Sequence, residues 1–79
     1  MGNGHHEISY TVNGEIEKTR EESLTVRAIL ANAGFTPPED YVLSSENPPK
    51  DYSNEYDFVV HLHQNERFVA KYKAPTPTS

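Results

Sequence analysis

The chain of 79 residues contains no cysteine. That absence excludes disulfide bonds, a zinc site with thiolate ligands and a cysteine nucleophile. It fits a reducing compartment, where cross-links are rarely kept. The sequence also has no apolar run near the ~20 residues that cross a bilayer, and its first residues lack the apolar stretch of a secretory signal. We therefore expect a cytoplasmic protein.

Basic residues are scarce, since seven lysines and arginines stand against twelve aspartates and glutamates, for a formal net charge of −5. A nucleic-acid partner requires a clustered positive surface, so this balance argues against one and favours a basic protein partner. Hydrophobic residues make up 34% of the chain, which predicts one thin core. We expect one domain over residues 7–73, between a disordered tail over residues 1–6 and a flexible tail over residues 74–79. His5 and His6 are typical of an expression-tag remnant.

The segment after residue 6 has the pattern of a β-hairpin. Ile8, Tyr10 and Val12 alternate with polar residues, which predicts a half-buried strand. Asn13-Gly14 follows directly, and this dipeptide supplies the positive φ angles that a two-residue hairpin turn needs. The residues after the turn are mostly charged, as expected for an edge strand that must not pair with another chain.

An amphipathic helix is predicted within residues 24–34. Its apolar stripe consists of Val26, Ile29, Leu30 and Ala33, at helical spacing. Thr25 is the expected N-cap. Gly34 is expected to end the helix in the left-handed conformation that glycine adopts without a steric cost. Pro37 and Pro38 then prevent any continuation.

Three short strands are expected after the helix, at residues 41–44, 56–63 and 67–73, with an irregular loop at residues 45–55. The side chains predicted to face the core are Tyr56, Phe58, Val60 and Leu62, then Phe68, Ala70 and Tyr72. The order ββαβββ predicts an α+β fold, with one helix packed across one face of a mixed sheet. The last strand is expected beside the first and parallel to it. The pattern leaves open whether residues 58–62 or 67–72 form the central last strand.

No set of residues has the pattern of a catalytic site. The serines in strands and loops lack the surrounding glycines of a nucleophile elbow: Ser9, Ser44, Ser45 and Ser53. His61 and His63 share one face of a strand, and Asp57 or Glu66 is the available third metal ligand. Two histidines without a defined third ligand are more typical of a solvated strand. We expect no enzyme activity, no cofactor and no metal.

An exposed apolar patch is predicted on the outward face of the sheet, where it would mark a protein interface. Its residues are Tyr41, Val59, His61 and Val69. The alternative is a set of ordinary surface residues, since isolated exposed apolar side chains are common. Tyr52 and Tyr56 flank the acidic loop, and they are expected either to anchor a partner or to pack over the sheet edge.

Several short motifs follow one another along the chain: Tyr10-Thr11-Val12-Asn13-Gly14, Leu24-Thr25-Val26 with Ile29-Leu30 and Ala33-Gly34, Val60-His61-Leu62, and Glu66-Arg67-Phe68. In this order and spacing they resemble the bacterial multiubiquitin-type domains, over residues 8–72. The helix exit at residues 34–40 is similar to that of ubiquitin itself. The resemblance implies a ubiquitin-like β-grasp fold and a role as a protein modifier. It implies an E1-like activating enzyme, an E2-like conjugating enzyme and a JAMM-type peptidase as partners.

The resemblance also implies site residues at the end of the chain. Ser79 would be the conjugation terminus, at the end of a tail formed by Ala74, Pro75, Thr76, Pro77 and Thr78. The side-chain amines available to accept another copy are those of Lys18, Lys50, Lys71 and Lys73. A modifier of this kind usually closes with Gly-Gly, and no such pair follows Phe35. The alternative is a non-covalent β-grasp adaptor that is never conjugated.

Overall fold

The computed structural model describes residues 7–46 and 49–73. Within them lie seven strands, one α-helix and one short 3-10 helix. In chain order these are β1 (Ile8–Val12), β2 (Glu15–Thr19), β3 (Ser23–Thr25), α1 (Val26–Asn32), the 3-10 helix (Pro38–Asp40), β4 (Tyr41–Glu46), β5 (Pro49–Asp51), β6 (Val59–His61) and β7 (Glu66–Tyr72). The predicted α+β class, with one helix and a mixed sheet, is confirmed.

The strands form two sheets. The larger sheet has five strands in the order β2-β1-β7-β4-β5, and the smaller pairs β3 with β6. β1 and β7 are parallel, as predicted, while the other pairs are antiparallel. β7 lies between β1 and β4, so residues 66–72, and not residues 58–62, form the central last strand.

The opening hairpin follows its local sequence. Asn13 has a φ of 53° and Gly14 a φ of 83°, so both turn residues adopt the left-handed conformation that was predicted. Tyr10 and Val12 are buried on the core side of β1. β2 is an edge strand of the larger sheet, also as predicted, and its Ile16 is 68% exposed.

The helix also follows its local sequence. The Thr25 hydroxyl accepts a hydrogen bond from the backbone N–H of Ala28 at 3.1 Å, which confirms the N-cap. Gly34 has a φ of 91° just after the helix, as expected. The helix covers Val26–Asn32, between the predicted N-cap and the predicted glycine stop, and Leu24 just before it belongs to β3, where it lies opposite Val60 of β6.

The irregular loop predicted at residues 45–55 is partly wrong. β4 continues to Glu46, and β5 pairs with it through Ser44 and Asp51. Tyr52 is buried in the core, and the hydroxyl groups of Ser45 and Tyr52 are hydrogen bonded. Ser45 can therefore lie on the core side of a strand, because a buried polar group is tolerated when its hydrogen bond is made.

One expectation about strand length and two about inward-facing side chains are corrected. The strand predicted at residues 56–63 is reduced to Val59–His61, because this segment pairs with β3 over three residues only. Phe58, just before it, is 45% exposed and packs one side of its ring on Tyr52. Tyr72 is on the core side of β7 but is 62% exposed, because at the last position of the strand it covers Tyr41 and is not itself covered.

One hydrophobic core joins the helix to both sheets. Its buried residues are Tyr10, Val12, Val26, Ile29, Leu30, Leu43, Tyr52, Val60, Leu62, Phe68 and Ala70. The ring of Tyr10 meets that of Phe68 edge to face at 5.8 Å, which links the first strand to the last across the centre of the core. Among residues 7–46 and 49–73, no helix or second sheet covers the opposite face of the larger sheet.

Candidate interaction surfaces

The four residues of the predicted apolar patch lie in three separate places. Val69 is half-buried on the open face of the five-stranded sheet. Val59 and His61 are exposed on β6, which belongs to the smaller sheet. Tyr41 is on the core side of β4 and packs its ring edge to face on Phe35 at 5.2 Å. The structure therefore does not bring the four together on one face.

The open face of the larger sheet is defined by strand register. Successive side chains of a strand point to opposite faces of the sheet, and residues paired across two strands point to the same face. The buried residues mark the core face, and their strand partners extend that assignment to the neighbouring strands. We call the side away from the core the outer face. Its side chains in the four longer strands are Ser9, Thr11, Ile16, Lys18, Val42, Ser44, Glu46, Arg67, Val69 and Lys71.

The charge of the outer face is opposite in sign to that of the whole protein. Lys18, Arg67 and Lys71 are exposed there, while the net charge of the chain is −5. The acidic residues of this face lie at its β5 side, where Glu46 approaches Arg67 at 4.0 Å. With three basic side chains against the acidic Glu46 and Asp51, the outer face is slightly positive on a chain whose net charge is −5.

Apolar side chains lie beside these basic groups. One open depression of about 280 Å³ is lined by Ser9, Thr11, Ile16 and Lys18 among others. A second, of about 420 Å³, lies on the other side of β7 and has Val42 and Lys71 among its lining residues. Aliphatic side chains next to ammonium groups suit a protein partner that carries apolar and acidic side chains together.

A third depression lies at the beginning of β7 and is polar. Its volume is about 400 Å³, and it is lined by Glu46, His63, Gln64, Asn65, Glu66 and Arg67. The carboxylate of Glu66 accepts a hydrogen bond from the backbone N–H of His63 at 3.1 Å. In residues 7–46 and 49–73, no three histidine, aspartate or glutamate side chains are grouped so that they could hold a metal ion.

The end of β7 is tied to the domain by Tyr56 and Lys73. The Tyr56 hydroxyl donates a hydrogen bond to the backbone oxygen of Tyr41 at 2.7 Å. The ammonium group of Lys73 lies 5.2 Å from the centre of the Tyr56 ring and 3.3 Å from Asn54 Oδ1, and its backbone N–H donates to Asp40 O at 2.8 Å. Tyr52 and Tyr56 are expected from the sequence either to anchor a partner or to pack over the sheet edge. The structure shows both tyrosines packed within the domain.

Arg27 adds a second cation beside the same ring. Its guanidinium carbon lies 5.8 Å from the centre of the Tyr56 ring. The guanidinium also forms an ion pair with Glu39, and its distance to Asp57 Oδ1 is 3.5 Å. These charges are exposed, so each pair contributes little to stability by itself.

The four lysines predicted as acceptors fall into two pairs. The ammonium group of Lys50 lies 5.4 Å from the centre of the Tyr52 ring and 5.5 Å from that of Phe58, and Lys73 lies over Tyr56. Such contacts place each ammonium group against an aromatic ring of the domain. Lys18 and Lys71 stand instead on the outer face. The predicted conjugation terminus and its tail, residues 74–79, lie outside the described residues.

Two side-chain amides join residues that are far apart in sequence. Gln64 accepts a hydrogen bond from Ser9 N at 2.9 Å and donates one to Glu7 O at 2.7 Å. Asn13 accepts from Ala70 N at 2.9 Å and donates to Ala70 O at 3.0 Å. No sequence signal identifies Gln64, whereas the Asn13-Gly14 pattern predicts the turn but not its bonds to β7.

Two tyrosine hydroxyls have altered acidity. Burial raises the pKa of Tyr10 above its ordinary value, and the negative charge of Glu17 raises it further. Burial also raises the pKa of Tyr52, against a smaller opposing effect of its hydrogen bond with Ser45. Both hydroxyls belong to the core, so these shifts concern stability and not a reactive site.

Comparison with known proteins does not identify a family for this chain. No family model, no curated protein and no solved structure matches the chain. The part of the chain that the structure describes contains no helix with the length and apolarity that a membrane crossing requires. The features of the molecule that bear on function are the strand topology, the outer face and the contacts at the end of β7.

Proposed function

We propose that the chain is a bacterial ubiquitin-like protein modifier with a β-grasp fold. One observation carries the proposal: the sheet order β2-β1-β7-β4-β5, with the first and last strands adjacent and parallel and the helix between β2 and β4. That is the arrangement in which a β-grasp sheet holds its helix. It agrees with the family that the motifs between residues 8 and 72 resemble.

In this proposal the chemistry belongs to the partners and the chain is their substrate. An E1-like enzyme activates the C-terminal carboxylate, an E2-like enzyme transfers it to an amine, and a JAMM-type peptidase reverses the attachment. The modifier contributes a terminus that enters those active sites and a surface by which they recognise it. It needs no catalytic residue, cofactor or metal of its own, and the reaction takes place in the cytoplasm.

Two features of the described residues support such a role. β7 is the central strand, and Lys73, the residue after it, is held by the Asp40 carbonyl and the Tyr56 ring, so the end of the described chain has a defined position. The outer face presents Val42 and Val69 beside Lys71, on the same strands that lead to this point. A partner that binds this face would lie close to the end of β7.

A second candidate is a β-grasp adaptor that binds partners without being conjugated. The observation that favours it is the tail sequence, because Ala-Pro-Thr-Pro-Thr-Ser has no glycine pair. Proline fixes the backbone and lacks an N–H donor, so this segment suits the narrow channel of an activating enzyme less well than glycine does. In the adaptor, the outer face alone would carry the function.

Intact-mass spectrometry distinguishes the two candidates. The full chain, a chain ending at Lys73 and a full chain with a C-terminal amide would each be incubated with ATP and the E1-like and E2-like enzymes of the same organism. We expect a covalent adduct, or a trimmed product that then forms one, from the full chain only. If the folded full chain forms no adduct while it still binds either enzyme, the modifier proposal is wrong and the adaptor is favoured.

A pair of surface variants tests the part played by the outer face. Val69→Asp places a carboxylate on the outer face, whereas Val59→Asp makes the same change on β6 of the smaller sheet. We expect Val69→Asp to slow adduct formation, or in the adaptor case to weaken binding, by about tenfold or more. The reason is that the substitution removes an apolar side chain and adds a negative charge on the face that carries Lys71. Val59→Asp should behave like the unmodified protein. Equal effects would exclude the outer face as the recognition surface.

A further inference from the structure

The side chain of Asn13 has an unusual position for a turn residue. Its amide is paired with both backbone groups of Ala70, 57 residues later in the chain, at 2.9 and 3.0 Å. The backbone N–H of Asn13 also donates to Phe68 O at 3.0 Å. The amide therefore extends the pairing of β1 with β7 beyond the end of β1, in the manner of one more peptide group.

The residue that follows makes this amide chemically labile. Asparagine before glycine can cyclise, because glycine has no Cβ to hinder the approach of its backbone nitrogen. Gly14 stands in open space: apart from its two chain neighbours, no residue has an atom within 4 Å of where a Cβ would be. Both residues of the turn are exposed, so water reaches the site.

We propose that Asn13 is a site of spontaneous deamidation, and that its pairing with Ala70 gates the reaction. The nitrogen of Gly14 loses its proton and attacks Asn13 Cγ, forming an N–Cγ bond. The Cγ–Nδ2 bond breaks, and Nδ2 leaves as ammonia with the transferred proton. Water then opens the resulting succinimide at either carbonyl, giving aspartate or isoaspartate. The net change is one water consumed and one ammonia released, with no oxidant or reductant.

The hydrogen bonds between Asn13 and Ala70 explain why the folded structure slows the reaction. Ring closure requires Asn13 Cγ to turn back onto its own backbone, and Oδ1 and Nδ2 cannot then hold Ala70 N and Ala70 O. The reaction must wait until the Asn13 side chain releases both backbone groups of Ala70, which is a local opening of the fold. The folded protein is therefore protected, and the rate of deamidation measures how often the Asn13 amide separates from Ala70 at the end of β1.

The product cannot restore the original pairing. Aspartate at position 13 still accepts from Ala70 N but has lost the donor that Ala70 O requires, and its carboxylate lies against that carbonyl oxygen. A partly buried acceptor without its donor is costly. Isoaspartate also reroutes the backbone through the side chain within a turn that needs two left-handed residues. Each event thus loosens the pairing of β1 with β7 irreversibly.

The sequence supplies an internal control for the test. Asn3-Gly4 is the same dipeptide, outside the described residues. The full chain would be incubated at neutral to mildly alkaline pH, with and without urea, and digested; the isomeric product peptides would be separated and quantified by mass spectrometry. We expect Asn13 to react at least about tenfold more slowly than Asn3 in buffer and at a similar rate in urea. Equal rates in buffer, or no product at Asn13 in urea, would overturn the proposal.

Two aspartate variants test the consequence for the fold. Asn65 also has a positive φ, of 65°, but bonds to β1 through its backbone N–H, at 2.7 Å from Ser9 O. We expect Asn13→Asp to raise the equilibrium constant for unfolding by about tenfold relative to Asn65→Asp. Amide hydrogen exchange at Ala70 should rise in the same variant. Equal stability of the two variants, with unchanged exchange at Ala70, would contradict the role assigned to Asn13.

Discussion

At the scale of single residues, the buried hydroxyl of Tyr10 makes the stability of the protein depend on pH in the alkaline range. Burial raises the pKa of its hydroxyl above the ordinary value of 10.0, and Glu17 adds to the shift. The neutral phenol is thus favoured in the folded state. A raised folded-state pKa gives a contribution that is fully present below the unfolded-state pKa and is lost as pH rises through the folded-state pKa.

We therefore expect the free energy of unfolding to fall as pH rises above about 10, and to fall less in Tyr10→Phe. Urea titrations at several pH values between neutrality and the alkaline range would measure this difference. Tyr72→Phe is the matched control, since that ring is 62% exposed and should follow the unmodified protein. The same pH dependence in Tyr10→Phe and in the control would exclude Tyr10 as the cause.

The sequence predicts burial well where a neighbour is certain to cover the side chain. Tyr10 and Val12 are buried as the alternation of β1 requires, because β1 lies between two strands under the helix. Tyr72 and Phe58 have the same kind of pattern and are 62% and 45% exposed. Alternation determines the side to which a residue points, whereas exposure depends on what tertiary structure places over it.

At the scale of elements, two glycines adopt the left-handed backbone conformation where the chain changes direction: Gly14 in the turn between β1 and β2, and Gly34 after the helix. Gly14 has a φ of 83° and Gly34 a φ of 91°, and neither has an atom within 4 Å of an added Cβ. Alanine at either position would meet no clash with another part of the chain. Its cost would arise from the left-handed backbone alone, which is about 1–2 kcal/mol for a residue with a Cβ.

We expect Gly14→Ala and Gly34→Ala each to lower the free energy of unfolding by about 1–2 kcal/mol, as measured by urea denaturation. Gly14→Asn and Gly34→Asn should recover part of the loss, because asparagine is better tolerated in this conformation. If the alanine variants were as stable as the unmodified protein, the turn and the helix end would have to adopt other conformations.

Elements with local signals are the ones that the sequence predicts. The hairpin depends on Asn13-Gly14, and the helix on Thr25 and Gly34, all within a few residues of the structure they specify. β3 and the smaller sheet were missed because β3 is three residues long and its partner β6 is distant in sequence. β5 was missed because it is equally short and lies in a segment rich in turn residues, although its partner β4 directly precedes it. Leu24, for example, belongs to a strand only because Val60 lies opposite it.

At the scale of the whole molecule, the chain order predicts the topology better than it predicts the surface. A helix between an opening hairpin and later strands makes the parallel pairing of β1 with β7 expected, and it is found. The predicted patch failed because it assumed that Val59 and Val69 belong to one sheet. Their strands have similar apolar alternation, and nothing in that alternation states which sheet a strand joins.

The central position of β7 makes the last strand a condition for folding. β7 is bonded to both β1 and β4, and its Phe68 and Ala70 are part of the core. Without it, Tyr10 and Leu43 would lose the neighbours that bury them, and β2 with β1 would be an isolated hairpin of marginal stability. The thin core of so small a domain cannot offset a loss of that size.

We therefore expect a chain ending at Asn65 to show no cooperative urea transition. A chain ending at Lys73 keeps β7 and the contacts of Lys73 with Asp40 and Tyr56, so its free energy of unfolding should lie within about 0.5 kcal/mol of that of the full chain. Circular dichroism and urea denaturation of the three chains would make the comparison. A cooperative transition in the chain ending at Asn65 would show that the hairpin and helix fold without the last strand. The parallel pairing of β1 with β7, on which the β-grasp proposal depends, would then be a consequence of the fold and not its determinant.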